Sequence, residues 1–84
     1  MKKQINVIAK KWFDKINGNT YHSVTFEFNN KVFHQGLTYG YGCQYEQTFK
    51  EIFNKEYPKR NIKLYKINYN VKENCLKRQL NELY

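Results

Sequence analysis

Apolar and polar residues alternate along the first half of the chain, which is the pattern of β-strands with one buried face. Two runs rich in β-forming residues, 4–13 and 20–29, flank an Asn-Gly pair, and this pair is a strong signal for a hairpin turn. In the second run Val24, Phe26 and Phe28 alternate with polar residues, so we expect these three side chains to face the core. The pattern therefore predicts an opening β-hairpin with one apolar face.

A third strand follows a short polar turn and extends to Tyr39. Gly36 interrupts its alternation, and an isolated glycine inside a strand marks a bulge or a close approach by another segment. Together the three strands predict a meander over residues 4–39.

From residue 44 onward the apolar residues recur at helical spacing instead. The predicted amphipathic helix covers residues 44–57 and ends before Pro58, because proline cannot continue a helix. Its apolar stripe consists of Tyr45, Phe49, Ile52, Phe53 and Tyr57. We expect this stripe to cover one face of the sheet.

The last third of the chain predicts one more strand and one more helix. Aromatic and β-branched residues favour a strand over 62–69. Asn70 and Glu73 have the spacing of a capping box, and leucines then recur at helical spacing, so a C-terminal helix is expected over 71–83. Residues 1–84 are thus predicted to form a single α+β domain of order β-β-β-α-β-α, with a mainly antiparallel sheet and both helices on one face.

Composition adds charge to this picture. Fifteen Lys and Arg residues against seven acidic residues give a formal net charge of +8, which favours polyanionic or acidic partners. Lysine outnumbers arginine heavily, and lysine contacts phosphates without reading bases, so nucleic-acid binding would have weak sequence specificity. An AT-rich genome also produces lysine-rich proteins, so the charge alone does not identify a partner.

Two aromatic segments punctuated by glycine, 12–22 and 39–45, stand out as candidate binding elements. Aromatic rings beside tight turns suit both base stacking and the anchoring of a protein partner. The candidate binding residues are Trp12, Tyr21, Tyr39 and Tyr41 together with Lys10, Lys11, Lys15, Lys59, Arg60, Lys63 and Lys66. Many aromatic rings of so small a domain must build its core, so their exposure is the deciding observation.

Patterns for catalysis and for metal binding are weak. Cys43, Cys75, His22 and His34 lack the paired spacing of zinc ligands, and the acidic residues are dispersed rather than clustered. Cys43 precedes the predicted helix, a position that suits a nucleophilic thiol, but no Cys-His signature accompanies it. The sequence therefore predicts no enzyme, no metal and no cofactor.

The Gly40-Tyr41-Gly42 motif lies directly before the helix, where backbone N–H groups cradle phosphate in glycine-rich loops. A single GxG is a weak signal, and a tight turn between strand and helix requires the same glycines. No apolar stretch approaches the roughly 18 residues of a transmembrane helix, and no signal peptide is recognisable. We therefore expect a soluble protein with reduced thiols and no membrane contact.

The segments WFDKINGNTYH at 12–22 and YGYGCQY at 39–45 resemble those of a family of small, largely uncharacterised phage-encoded proteins. In that family a W-F-D-K-x-N-G-N-S/T-Y hairpin is followed by a Y-G-Y-G-x-x-Y turn and a helix. The resemblance ends before Pro58. It implies an accessory protein in the cytoplasm of an infected bacterial host, and phage proteins of this size often inhibit host machinery, as anti-CRISPR proteins do.

The leading interpretation is a non-enzymatic phage protein that binds a host protein or nucleoprotein complex, in its sharpest form a defence effector. The positive charge argues against mimicry of DNA. The first alternative is a direct DNA- or RNA-binding protein. The second is a small metal-independent ribonuclease with His22 and His34 as acid and base. The sequence carries no pattern that specifies an oligomeric state.

Overall fold

The computed structural model describes residues 3–40 and 42–82. The elements of these residues are, in chain order, β1 Lys3–Asp14, β2 Asn19–Phe28, β3 Lys31–Tyr39, α1 Gln44–Glu56, a 3₁₀ turn Ile62–Leu64, β4 Tyr65–Lys72 and a 3₁₀ turn Lys77–Asn81. The strands form one sheet in the order β3-β2-β1-β4, in which β4 is parallel to β1 and the other pairings are antiparallel. The expected α+β class is confirmed, with a mixed sheet.

Both hairpin turns are formed by residues that tolerate a positive φ. Gly18 has φ 68°, and its N–H donates to the Asp14 carbonyl at 2.7 Å. The Asp14 carboxylate also accepts a hydrogen bond from the Asn17 amide, which ties the turn to the end of β1. Asn29 and Asn30 have φ 53° and 62°, as in the two-residue turns that match the twist of antiparallel strands. The hairpins form where the sequence predicts them.

Helix α1 connects the two edge strands of the sheet and packs on one face of it, which we call the helix face. The fully buried core on this face consists of Ile5, Val7, Val24, Phe26, Phe49 and Phe53. Phe26 and Phe49 meet edge to face with ring centroids 4.8 Å apart, so aromatic contacts supply much of the packing. Tyr45, Ile52 and Tyr57 also pack against this core, which confirms the predicted stripe.

The bulge that Gly36 predicts is present in β3. Val24 pairs with Gln35 and His22 pairs with Thr38, so β3 has an extra residue opposite β2. A Cβ atom at Gly36 would lie 2.5 Å from Oδ1 of Asn81, which belongs to the end of the chain. Gly36 thus marks both a bulge and a close approach.

Residues 73–82, which we call the C-terminal strap, pass the edge of β1 at Glu73 and then cross the sheet face opposite α1. Leu80 of the strap is fully buried there, and the Cys75 N–H donates to the Lys11 carbonyl at 2.9 Å. The predicted helix over 71–83 is wrong, because Asn70 pairs with Ile8 inside β4 and cannot cap a helix. The strap takes the opposite face because α1 already fills the helix face.

The bounds of the other elements differ less from the predictions. Helix α1 ends at Glu56, one residue before the predicted end. The strand predicted over 62–69 begins later, because residues 62–64 form a 3₁₀ turn in which the Asn61 side chain accepts a hydrogen bond from the Lys63 amide. Within the residues that the structure describes, no helix is long and apolar enough to cross a membrane.

Candidate binding surfaces

The structure brings three of the candidate aromatic residues together on the strap side of the sheet. Trp12 and Tyr21 are cross-strand partners whose rings stack with centroids 5.4 Å apart. Tyr39 meets Tyr21 edge to face at 5.7 Å and is itself 61% exposed. We call these residues the aromatic triad. Tyr41 lies outside the described residues.

The aromatic triad adjoins exposed aliphatic and aromatic side chains at the same end of the molecule. β4 pairs with β1 only as far as Lys10, and β3 pairs with β2 as far as Tyr21, the partner of Trp12, so the tip of the β1–β2 hairpin projects beyond the rest of the sheet. The large exposed apolar side chains at this end are Phe13 (52%), Ile16 (94%), Tyr39 (61%) and Leu76 (55%). Together with Trp12 they form what we call the hairpin-end patch.

A shallow cavity of about 280 Å³ lies within this patch. It is lined by Trp12, Phe13, Lys15, Asn74, Cys75 and Leu76. Sequence reasoning selected Trp12 and Lys15 and considered Phe13 for a stacking platform, but it missed Ile16 and Leu76. The sequence did contain a signal for an exposed apolar patch, because an isoleucine at position 16, inside a polar hairpin turn, has no packing role there.

Two of the candidate lysines have other roles. Lys10 is only 3% exposed, and its Nζ donates to the carbonyl oxygens of Gln79 at 3.1 Å and Glu82 at 3.0 Å. The expectation that Lys10 contacts a partner at the surface is therefore wrong for this structure, in which the strap covers Lys10. Lys11 lies on the helix face, where its Nζ is 3.7 Å from the Glu73 carboxylate and 5.2 Å from the centroid of the Tyr45 ring.

The basic residues after α1 lie at the other end of the sheet from the aromatic triad. Lys59, Arg60 and Lys63 are exposed in the connection to β4, which begins beside Lys3. Lys3 and Trp12 are nine residues apart on β1, which is about 30 Å at about 3.3 Å per residue. The candidate residues therefore divide between two surfaces.

The loop at this basic end is ordered by one arginine. The Arg60 guanidinium lies 5.4 Å from the centroid of the Phe28 ring and donates to the Tyr65 hydroxyl at 3.0 Å. Lys66 is exposed on β4, on the strap side of the sheet. Arg60 is thus engaged in local packing, whereas Lys59, Lys63 and Lys66 project into solvent.

The two histidines lie on opposite faces of the sheet. His22 is buried on the helix face, where its Nε2 is 2.7 Å from the Thr48 hydroxyl, and burial lowers its pKa. His34 lies under the strap with its Nδ1 2.8 Å from the Thr25 hydroxyl, and burial together with the charge of Lys10 lowers its pKa. Because the sheet separates them, these two rings cannot act as acid and base on one substrate. The geometry therefore argues against a ribonuclease site formed by His22 and His34.

Gly40, the first residue of the glycine motif, follows the end of β3 directly and is tightly packed. Gly40 has φ 155° and is buried, and a Cβ atom there would lie 2.8 Å from the Gln44 Cβ and 3.0 Å from the His22 ring. Its N–H already donates to the Thr20 carbonyl at 3.0 Å. This geometry favours the structural interpretation of the motif over a phosphate cradle. Cys43 is exposed at the start of α1, and its side chain makes no capping hydrogen bond.

In the described ranges, no three His, Cys, Asp or Glu side chains converge as a metal ion would require. Comparison of the chain with protein-family models, with curated proteins and with solved structures gives no match. The resemblance to phage-encoded proteins therefore stays a prediction.

Proposed function

We propose that this protein is a non-enzymatic binding protein whose hairpin-end patch docks on the surface of another protein. The observation that carries the proposal is the cluster of exposed apolar side chains at one end of a strongly charged domain. Apolar clusters with a charged rim are typical of protein interfaces. Ile16 and Leu76 offer neither a ring for stacking nor a polar atom, so they suit a protein surface better than nucleic acid.

The charges around the patch indicate an acidic partner surface. Lys15 lines the cavity within the patch, and the Lys77 Nζ lies 5.6 Å from the centroid of the Trp12 ring. The Asp14 carboxylate accepts hydrogen bonds from turn amides and keeps its negative charge, but the two lysines outnumber it. Complementary acidic groups on the partner would speed association and fix orientation.

The resemblance to phage-encoded proteins supports a host protein or nucleoprotein complex as the target, and a counter-defence role of the anti-CRISPR type. In this role the protein acts by occupying a surface of its target and not by turnover. The cytoplasm of the infected bacterium is the compartment in which it would meet that target.

The test is affinity purification from host cells with nuclease-treated lysate. Ile16→Ser removes an apolar anchor without disturbing the core, since Ile16 is 94% exposed. Leu64→Ser is the matched control, because Leu64 is 64% exposed in the turn before β4, at the opposite end. We expect a protein partner that survives nuclease, is retained by Leu64→Ser and is lost with Ile16→Ser. Equal retention by both variants would contradict the proposal.

A further inference from the structure

We propose that the C-terminal strap covers a second binding face, and that the ligand of this face is single-stranded nucleic acid. This inference goes beyond the proposed protein partner, because it concerns the covered middle of the sheet, which shares only Trp12 with the hairpin-end patch. The floor beneath the strap includes four polar residues, Lys10, Ser23, Thr25 and His34. The first two are cross-strand partners in β1 and β2, and the last two are cross-strand partners in β2 and β3.

These floor residues are polar, although an apolar floor would hold the strap more strongly. Ser23 and Thr25 are each 1% exposed and Lys10 is 3% exposed. Ser23 Oγ and His34 Nε2 are buried without a hydrogen-bond partner in the described part of the chain. Buried polar atoms without partners are rare in folded proteins and each needs an explanation. A polar ligand that displaces the strap would supply the missing hydrogen bonds.

The strap itself places groups where parts of a nucleotide would bind. Two backbone carbonyl oxygens, of Gln79 and Glu82, accept hydrogen bonds from the Lys10 ammonium, as phosphate oxygens would. Lys77 lies over the Trp12 ring, which is a surface on which a base would stack. A phosphate at Lys10 and a base on Trp12 would thus replace two contacts that the strap now makes.

The remainder of the same face extends this floor into an open groove of about 590 Å³. Thr25 lines both the groove and the covered floor. The other lining residues are Gln4, Asn6, Ile8, Phe26, Glu27, Asn29 and Asn30. The carboxamides of Gln4, Asn6, Asn29 and Asn30 both donate and accept hydrogen bonds, as base edges require, whereas the Glu27 carboxylate only accepts them. Bases reach such groups and the Trp12 ring only when they are unpaired, and this requirement selects a single strand over a duplex.

The test combines a loosened strap with a direct reporter of stacking. Leu80→Ala removes the buried anchor of the strap without altering the floor, and Leu64→Ala is its matched control. The probe is a labelled single-stranded RNA or DNA of about 12 nucleotides, a length suited to one small domain. We expect Leu80→Ala to bind it about 10-fold more tightly than the unaltered protein, because apparent affinity scales with the fraction of molecules in the open state. Trp12, the single tryptophan, should lose fluorescence as bases stack on it.

Further measurements keep the proposal falsifiable if Leu80→Ala fails to fold. On the unaltered protein at saturating oligonucleotide, the Cys75 amide, which is bonded to the Lys11 carbonyl, should exchange hydrogen faster, while the Tyr57 amide at the end of α1 should not. Lys10→Met should weaken binding. Displacement of the probe by an equal concentration of a polyglutamate peptide would show that charge alone holds it, and would overturn the proposal. So would binding that changes neither strap exchange nor tryptophan emission.

Discussion

Replacing Gly40 by alanine tests whether the glycine motif before α1 is architectural. With φ 155°, Gly40 has a backbone conformation that alanine rarely adopts. The new Cβ would also lie 2.4 Å from Cγ and 2.8 Å from Cβ of Gln44. The Gln44 Cβ is attached directly to the helix backbone, so the start of α1 would have to move.

The expected cost has two parts. Backbone strain at an unfavourable φ costs about 1 to 3 kcal/mol, and overpacking of a filled site costs about 1 to 3 kcal/mol more. We therefore expect Gly40→Ala to lower the free energy of unfolding by about 2 to 5 kcal/mol. A chain of 84 residues has a total stability of about 4 to 12 kcal/mol, so the variant would be marginal.

Gly42 provides the matched control on the other side of the same motif. It has φ 62°, and a Cβ atom there would meet nothing within 4 Å. Gly42→Ala should therefore cost only about 1 to 2 kcal/mol, from the left-handed conformation alone. Urea unfolding followed by Trp12 fluorescence measures both variants. Equal losses of stability would refute the reasoning, since they would show that close packing at Gly40 contributes nothing.

Three further predictions concern the strap and the buried histidines. Leu80→Ala should lower the free energy of unfolding by about 2 to 4 kcal/mol in urea, whereas Leu64→Ala should change it by less than about 0.5 kcal/mol. The free energy of unfolding should fall as the pH is lowered from about 7 to about 5. Burial lowers the pKa of His22 and His34 below 6.5, so in this range the unfolded chain binds more protons than the folded chain does. A pH-independent urea midpoint in this range would contradict this prediction. Gly36→Ala should lower the free energy of unfolding by less than about 1 kcal/mol, because the new Cβ meets Oδ1 of Asn81, whose exposed side chain can rotate away. A loss of stability as large as that of Gly40→Ala would contradict this prediction.

The candidate site was only partly predictable from the sequence. Trp12 and Tyr21 meet because the Asn-Gly turn sets the register of the hairpin, and that turn is visible in the sequence. Leu76 joins the same patch through the path of the strap, which no local pattern describes. The role of Lys10 was missed for the same reason, since its carbonyl partners lie 69 and 72 residues away in the chain.

The sequence by itself determined the elements whose pattern is local. The alternation of Val24, Phe26 and Phe28 and the helical stripe of α1 each specify one apolar face, and each needs only neighbouring residues to do so. Only the tertiary structure decided that β4 pairs parallel with β1 and turns Tyr65 toward the core. It also decided that Asn70 extends a strand instead of capping a helix. Strand pairing across the whole chain outweighs a local capping signal, because the ladder bonds and the buried faces add up over many residues, whereas a cap contributes about 1 kcal/mol.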